Sequence, residues 1–209
     1  MDLNYFLELA INGALAGLMY SLVAMGIVLI YKSSSVPNLA QGALVMLGAY
    51  VVLAFSNGIG MSMWLAIPLA MLTMGAVGMG VERFALRRLA GRPIVMILMM
   101  TLGLEIFLSA IAMTVWGGTA RPLRLGISDD PLFVGPLLLN RTYVIGAVVA
   151  LVLFGVFVAF FRSRSGVVLR AIADDYTASW SVGISVERGV ALSWAMASMV
   201  ATIAGILWG

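Results

Sequence analysis

The sequence predicts an all-α polytopic membrane protein of about six transmembrane helices, with an amphipathic helix on the cytoplasmic side between the fifth and the sixth. Three observations predict it. Hydrophobic residues make up 63% of the 209 residues and charged residues only 10%, with a mean hydropathy of +1.10, whereas a soluble domain carries about a quarter charged residues. The apolar residues gather into runs of about 20, the length that crosses a bilayer core as a helix. The basic residues crowd into alternate connections between those runs, as they do when cytoplasmic loops retain Lys and Arg.

The same composition excludes several classes of function. There is no cysteine and no histidine, which removes disulfides, Ser-His and Cys-His catalysis and the common zinc sets. Metal ligation and bound cofactors are therefore not expected. The net charge of +3 is spread over loops with no basic block for a nucleic acid. No G-x-x-x-x-G-K-[ST] occurs in the chain, so any ATP hydrolysis belongs to another polypeptide. The start, MDLNYFLELA, is acidic and lacks the basic region of a cleavable signal peptide.

The first span is expected from about Leu9 to Tyr31, with Gly13 and Gly17 spaced for close helix approach. The second runs from about Val36 to Phe55 and opens with Pro37, Asn38, Gln41 and Gly42 after three serines. Uncharged amides at that depth either line a cavity or cap the span at the headgroups. The third runs from about Met61 to Val81, with Gly75, Gly78 and Gly80 on its later turns. The fourth runs from Ile94 to Trp116 and carries Glu105 near its centre. A carboxylate there costs roughly 3 kcal/mol on insertion scales. It must face water or other helices, either as a polar contact in a pathway or as a protonated group bonded between helices. A loop with Pro122, Pro131, Pro136 and the acidic pair Asp129–Asp130 leads to a fifth span, Thr142 to Phe161. The sixth starts near Gly189 and is still apolar at Gly209. Residues 1–209 are accordingly read as one transmembrane domain, expected to be incomplete at its C-terminus.

Residues 162–188 form the one long polar connection. Val168, Ile172, Tyr176 and Trp180 recur every four residues, while Arg170, Asp174, Thr177 and Ser181 fall opposite. That is the period of an amphipathic helix. Arg170 and Asp174 have the spacing of an i,i+4 ion pair. Gly183 is the expected stop, and Ser185 a cap for the following span. The segment suits either a docking helix for a partner or an interfacial helix lying on lipid headgroups.

Orientation follows from the basic residues. Lys32, the arginine cluster 83, 87, 88 and 92, and the arginines 162, 164, 170 and 188 lie in the connections after the first, third and fifth spans. The opposite side holds only Arg121, Arg124 and Arg141. Nine against three places the N-terminus outside and the 162–188 connection in the cytoplasm.

Two stretches carry a family likeness. Asn12 to Tyr50, NGALAGLMYSLVAMGIVLIYKSSSVPNLAQGALVMLGAY, resembles the opening of branched-chain amino acid ABC transporter permeases, with an N-G start, a Y-x-L-x-A-x-G core and an N-x-A-Q-G segment. Gly166 to Ser198 is similar to that family's cytoplasmic loop with its E-A-A-x-x-x-G coupling motif. Here Thr177, Ala178 and Ser179 stand where the family has E-A-A, so the Glu is absent, while Gly183 matches.

The resemblance implies a permease subunit in the cell inner membrane. It would pair with a second, homologous permease, receive solute from a periplasmic solute-binding protein and be driven by cytoplasmic ATP-binding subunits. It implies a pathway role for Asn38, Gln41 and Gly42, to which Glu105 is added as the acid deep in a span. It implies ATPase coupling through Arg170, Ile172, Asp174, Asp175, Tyr176, Thr177, Ala178, Ser179, Trp180 and Gly183. Related permeases for urea or short amides share these motifs. A secondary transporter titrating Glu105 is the reading from another class.

Overall fold

The computed structural model describes residues 3–89, 92–117, 131–134 and 137–208. The expected contributions of Arg121, Arg124, Pro122, Pro136 and Asp129–Asp130 lie outside them, as does the side chain of Tyr176. Among the described residues, six helices are long and apolar enough to cross a membrane. They include α1 (Leu3–Ser34), α2 (Gln41–Leu53, prolonged by a π-helical turn over Ala54–Gly58) and α3 (Met63–Val81, prolonged by another over Glu82–Leu86). After α4 (Ile94–Trp116) come two short antiparallel strands, β1 (Leu132–Val134) and β2 (Leu137–Leu139). Then follow α5 (Arg141–Arg162), two short helices α6 (Arg164–Asp174) and α7 (Tyr176–Ser181), and the last long helix α8 (Val186–Trp208).

The last helix is the axis of the bundle. α8 packs against α1, α2 and α3, and 61% of its apolar stretch is buried, against 11% for α4 and 17% for α5. Lipid tails are as apolar as leucine, so helix association in a bilayer depends on close packing rather than on hydrophobic burial. The seams around α8 are built for that. A Cβ on Gly48 of α2 would run into Thr202, one on Gly205 of α8 into the backbone of Val45, and one on Gly78 of α3 into Ser198 and the carbonyl of Trp194. Ala197, Ala201 and Ala204 complete the small-residue face of α8, all fully buried.

Three expectations need correction. No described residue lies close over Gly13 or Gly17, so that glycine pair makes no seam among the described helices. The second span does not start at Val36. Pro37 lacks an N–H and biases the preceding residue away from helix, the Asn38 side chain holds the Ala40 amide at 3.1 Å, and α2 begins only at Gln41.

The third correction concerns the amphipathic helix expected over Val168–Val182, which is two helices. The Asp175 carboxylate accepts from the Ala178 amide at 2.8 Å and so starts α7 as its N-cap, with extended backbone at φ −150°. Because of the break, Ile172 turns inward beside Leu169 and Val186, while Trp180 is 72% exposed. The expected Ile172–Tyr176–Trp180 face is therefore not formed. Arg170 does not pair with Asp174. Its guanidinium donates to the Phe161 carbonyl at 3.2 Å, one of the groups that the last turn of a helix leaves without an intrahelical partner. Ser185 precedes α8, but its hydroxyl makes no capping bond.

Gly183 behaves as expected. At φ +83°, its amide donates to the Trp180 carbonyl and that of Ile184 to the Ser179 carbonyl, each at 3.1 Å. This pair of bonds is the Schellman ending, which needs a left-handed residue at that position.

At the opposite end, α1 holds the hairpin. Asn12 donates to the Leu138 carbonyl at 2.9 Å and accepts from the Asn140 amide at 3.0 Å, while Glu8 accepts from the Leu138 amide. Asn140 then caps α5 through Thr142 and Tyr143.

Candidate functional site

The polar inset between α1 and α2 is the first candidate. α1 ends at Ser34, and Ser35 takes the left-handed backbone at φ +54°. The chain then folds back into the bundle until Gln41 rests on Gly26, where a Cβ would overlap its amide. Gly26 precedes Ser34 by two turns, so α2 starts about 12 Å inside the end of α1. A non-helical segment at that depth must be enclosed by protein or line a cavity.

Both amides are enclosed within the chain: Asn38 and Gln41 are each 1% exposed. Asn38 donates to Gln41 Oε1 at 3.4 Å. Among the described residues, Gln41 Nε2 is buried without a hydrogen-bond partner, as are Trp194 Nε1 and Ser198 Oγ. Gly42, one residue on, is exposed with open space over it. Glu105 is half-buried on α4, and no hydrogen bond joins it to Asn38 or Gln41. The structure thus clusters Asn38, Gln41 and Gly42 around the start of α2, with only Gly42 exposed, and links Glu105 to none of them by a hydrogen bond.

The second candidate lies at the end of the bundle where α6 and α7 sit. Glu82, 3% exposed, closes α3. Arg87 grips it with two bonds, Nε to Oε1 at 3.3 Å and Nη2 to Oε2 at 3.0 Å. The same guanidinium reaches Glu187 at the start of α8 at 2.7 Å. One arginine therefore fastens the end of α3 to the first turn of α8. Beside it opens a cavity of about 670 Å³ lined by Ser33–Val36, Arg92, Ile94, Ile97, Thr177 and Val190 among others. Ser35 also donates to the Ala173 carbonyl at 3.0 Å, tying α1 to α6.

The α6–α7 elbow forms one wall of this cavity. Gly166 is required at the α5–α6 turn, because a Cβ there would strike the backbone of Phe161. Of the residues expected to couple to an ATPase, Ile172 and Ser179 are buried, whereas Arg170, Asp174, Asp175, Thr177, Ala178, Trp180 and Gly183 are at the surface.

Glu82 was not singled out from the sequence, and Arg87 only as one of a basic cluster; an acid five residues before an arginine at the end of a glycine-rich span was the available signal for the pair. Gly26 is the last residue of the Y-x-L-x-A-x-G core that carries the family likeness, but nothing in the sequence marked it as the seat of Gln41.

The family model for the branched-chain amino acid transport system / permease component matches residues 9–209. The permease protein BraD of the high-affinity branched-chain amino acid transport system of Pseudomonas aeruginosa is 26% identical over 221 residues, covering 100% of this chain and 72% of BraD. The LivH permease proteins of the corresponding systems of Salmonella typhimurium and Escherichia coli are each 29% identical over 230 residues, covering 98% of this chain and 71% of theirs. No solved structure matches. With nearly the whole chain matched and six apolar helices in the bundle, the protein is a multi-pass membrane protein that belongs to the branched-chain amino acid transport permease family.

Proposed function

We propose that the chain is the membrane-spanning permease subunit of an ATP-driven importer for branched-chain amino acids, in a bacterial inner membrane with the N-terminus outside. The family match over residues 9–209 carries the reading. A second, homologous permease would complete the pathway, a periplasmic binding protein would deliver the solute and cytoplasmic ATP-binding subunits would drive the cycle.

Asn38, Gln41, Gly42 and Glu105 are proposed for the pathway. Buried donors in native proteins are almost always satisfied, and an exception calls for an explanation. Gln41 Nε2 is such an exception, and the carboxylate of a passing amino acid is an acceptor it could serve. Gly42 offers the exposed approach.

The elbow is proposed as the ATPase coupling element. Its exposed Trp180 is the kind of large aromatic that anchors interfaces. Arg170, Asp174 and Asp175 would orient the partner from the rim, and Thr177, Ala178 and Gly183 would shape the contact. Ile172 and Ser179 would seat the elbow on the bundle, and Tyr176 begins α7.

The test is uptake of labelled leucine by proteoliposomes holding the chain with its partner subunits. Uptake that needs ATP, is stopped by vanadate and ignores an uncoupler is expected. Vanadate-resistant, uncoupler-sensitive uptake would overturn the reading in favour of an ion-coupled carrier. Competition by urea or acetamide but not by leucine would reassign the solute.

A further inference from the structure

The cavity beside Arg87 is outside the proposed pathway, and its lining has a definite chemistry. Two guanidiniums, Arg87 and Arg92, face it together with two carboxylates, Glu82 and Glu187. Arg87 is committed to both carboxylates. Arg92 has no carboxylate partner among the described residues, and the Glu187 side chain is 60% exposed. The rest of the lining is largely branched and apolar: Val36, Ile94, Ile97, Ile172, Val186 and Val190.

A simple anion entering this space meets as many carboxylates as guanidiniums, and so does a simple cation. A small zwitterion with an aliphatic side chain meets a matching partner for each part. Its carboxylate would take the Arg92 fork, its ammonium the exposed Glu187 carboxylate, and its side chain the isoleucines and valines.

We infer that this cavity is a binding site for an aliphatic amino acid on the side of the bundle where α6 and α7 lie, separate from the polar inset at α2. The cavity joins surfaces that belong to different elements: Ile172, Ala173 and Thr177 of the elbow, Ile94 and Ile97 of α4, and Glu187 and Val190 of α8. A ligand lodged there ties the elbow to α4 and α8. Accumulated amino acid would therefore brake the joint through which a cycle is driven. The braking role rests on the import function proposed above; the binding site does not.

Two measurements test it. Binding of L-leucine to the purified chain alone, by titration calorimetry in detergent, should saturate. Arg92→Gln should weaken it about tenfold or more, the loss expected for one hydrogen bond to a charged group, and Arg92→Lys should restore part of it. 4-Methylpentanoate, which lacks the ammonium, and isopentylamine, which lacks the carboxylate, should bind at least about tenfold more weakly than leucine.

In proteoliposomes of the whole transporter, leucine added on the ATPase side should slow ATP hydrolysis. Arg92→Gln should need about tenfold more leucine for the same effect, while uptake without that added leucine stays at the wild-type rate. Absence of saturable binding, or equal binding by wild type and Arg92→Gln, overturns the site. Binding without any effect on hydrolysis overturns the brake. Failure of the wild type to import leucine at all speaks against the proposed function instead.

Discussion

The Gln41 amide is pressed against Gly26, and the missing side chain of the glycine is the space it occupies. Beside the apolar residues that α1 and α2 share in the core, the two helices meet here through one amide and one bare backbone position. Gly26→Ala should destabilise the purified protein by about 1–3 kcal/mol, the usual cost of overpacking. Shortening the intruding residue as well, in Gly26→Ala/Gln41→Ala, should recover most of the lost thermal stability. No recovery in the double variant would show that Gln41 is not what Gly26 accommodates.

Replacing Asn38 or Gln41 by leucine should lower leucine uptake and leave membrane insertion intact, if the two amides serve the pathway. Uptake rates and membrane fractionation of the two variants decide it. Normal uptake in both would make the pair a packing device between α1 and α2.

Arg87→Met should leave the deeply buried Glu82 carboxylate without its partner. Breaking a buried pair costs roughly 3–5 kcal/mol, and the partial exposure of Arg87, 34%, puts this loss toward the lower end. Neutralising the acid too, in Arg87→Met/Glu82→Gln, should regain most of it in a thermal melt. If the two single substitutions simply add, the pair is not coupled.

At the elbow the effects should separate by residue. Asp175→Ala removes the cap of α7, worth about 1 kcal/mol, and should speed hydrogen exchange of the Ala178 amide about fivefold. Gly183→Val forces a β-branched residue into left-handed backbone at a cost of about 1–2 kcal/mol and should loosen the exit to α8. Trp180→Ala should leave stability unchanged, yet reduce co-purification of the ATP-binding subunits and uptake. If Trp180 lies on headgroups instead, the substitution will alter membrane contact and spare the partner.

A cysteine introduced at position 175 will be the sole thiol in the chain. It should react with an impermeant maleimide only from the cytoplasmic side. Labelling of intact cells from outside would reverse the orientation.

Much of the architecture was readable because bilayer spans are specified by apolar length alone. Ile94–Trp116 was placed to the residue; α1 kept winding through polar residues to Ser34, whereas α2 began only at Gln41. What could not be read is where one side-chain cap or a non-local contact decides. The period over Val168–Trp180 predicted one helix, but a single aspartate offered its carboxylate to a backbone amide three residues on, and that local bond outweighed the four-residue rhythm. Gly13–Gly17 and Gly75–Gly78 are both close-spaced glycine pairs in apolar spans, four and three residues apart; only the position of α8 makes the second pair a seam and leaves the first bare among the described residues. The cavity was invisible because its charged walls come from Glu82 at the end of α3, from Arg87 and Arg92 in the connection to α4, and from Glu187 of α8, about a hundred residues further on.

The central position of α8 also has a consequence for how the protein is made. Ribosomes add about 5–20 residues per second, and α8 follows all the helices it holds together. Gly48, Gly75 and Gly78 therefore enter the bilayer many seconds before Thr202, Met199 and Ser198 arrive to cover them. During that interval α1, α2 and α3 form a half-built bundle with open grooves. A chain interrupted before Val186 should accumulate as a target for membrane proteases, and the folding of α1, α2 and α3 should be timed by the translation of α8.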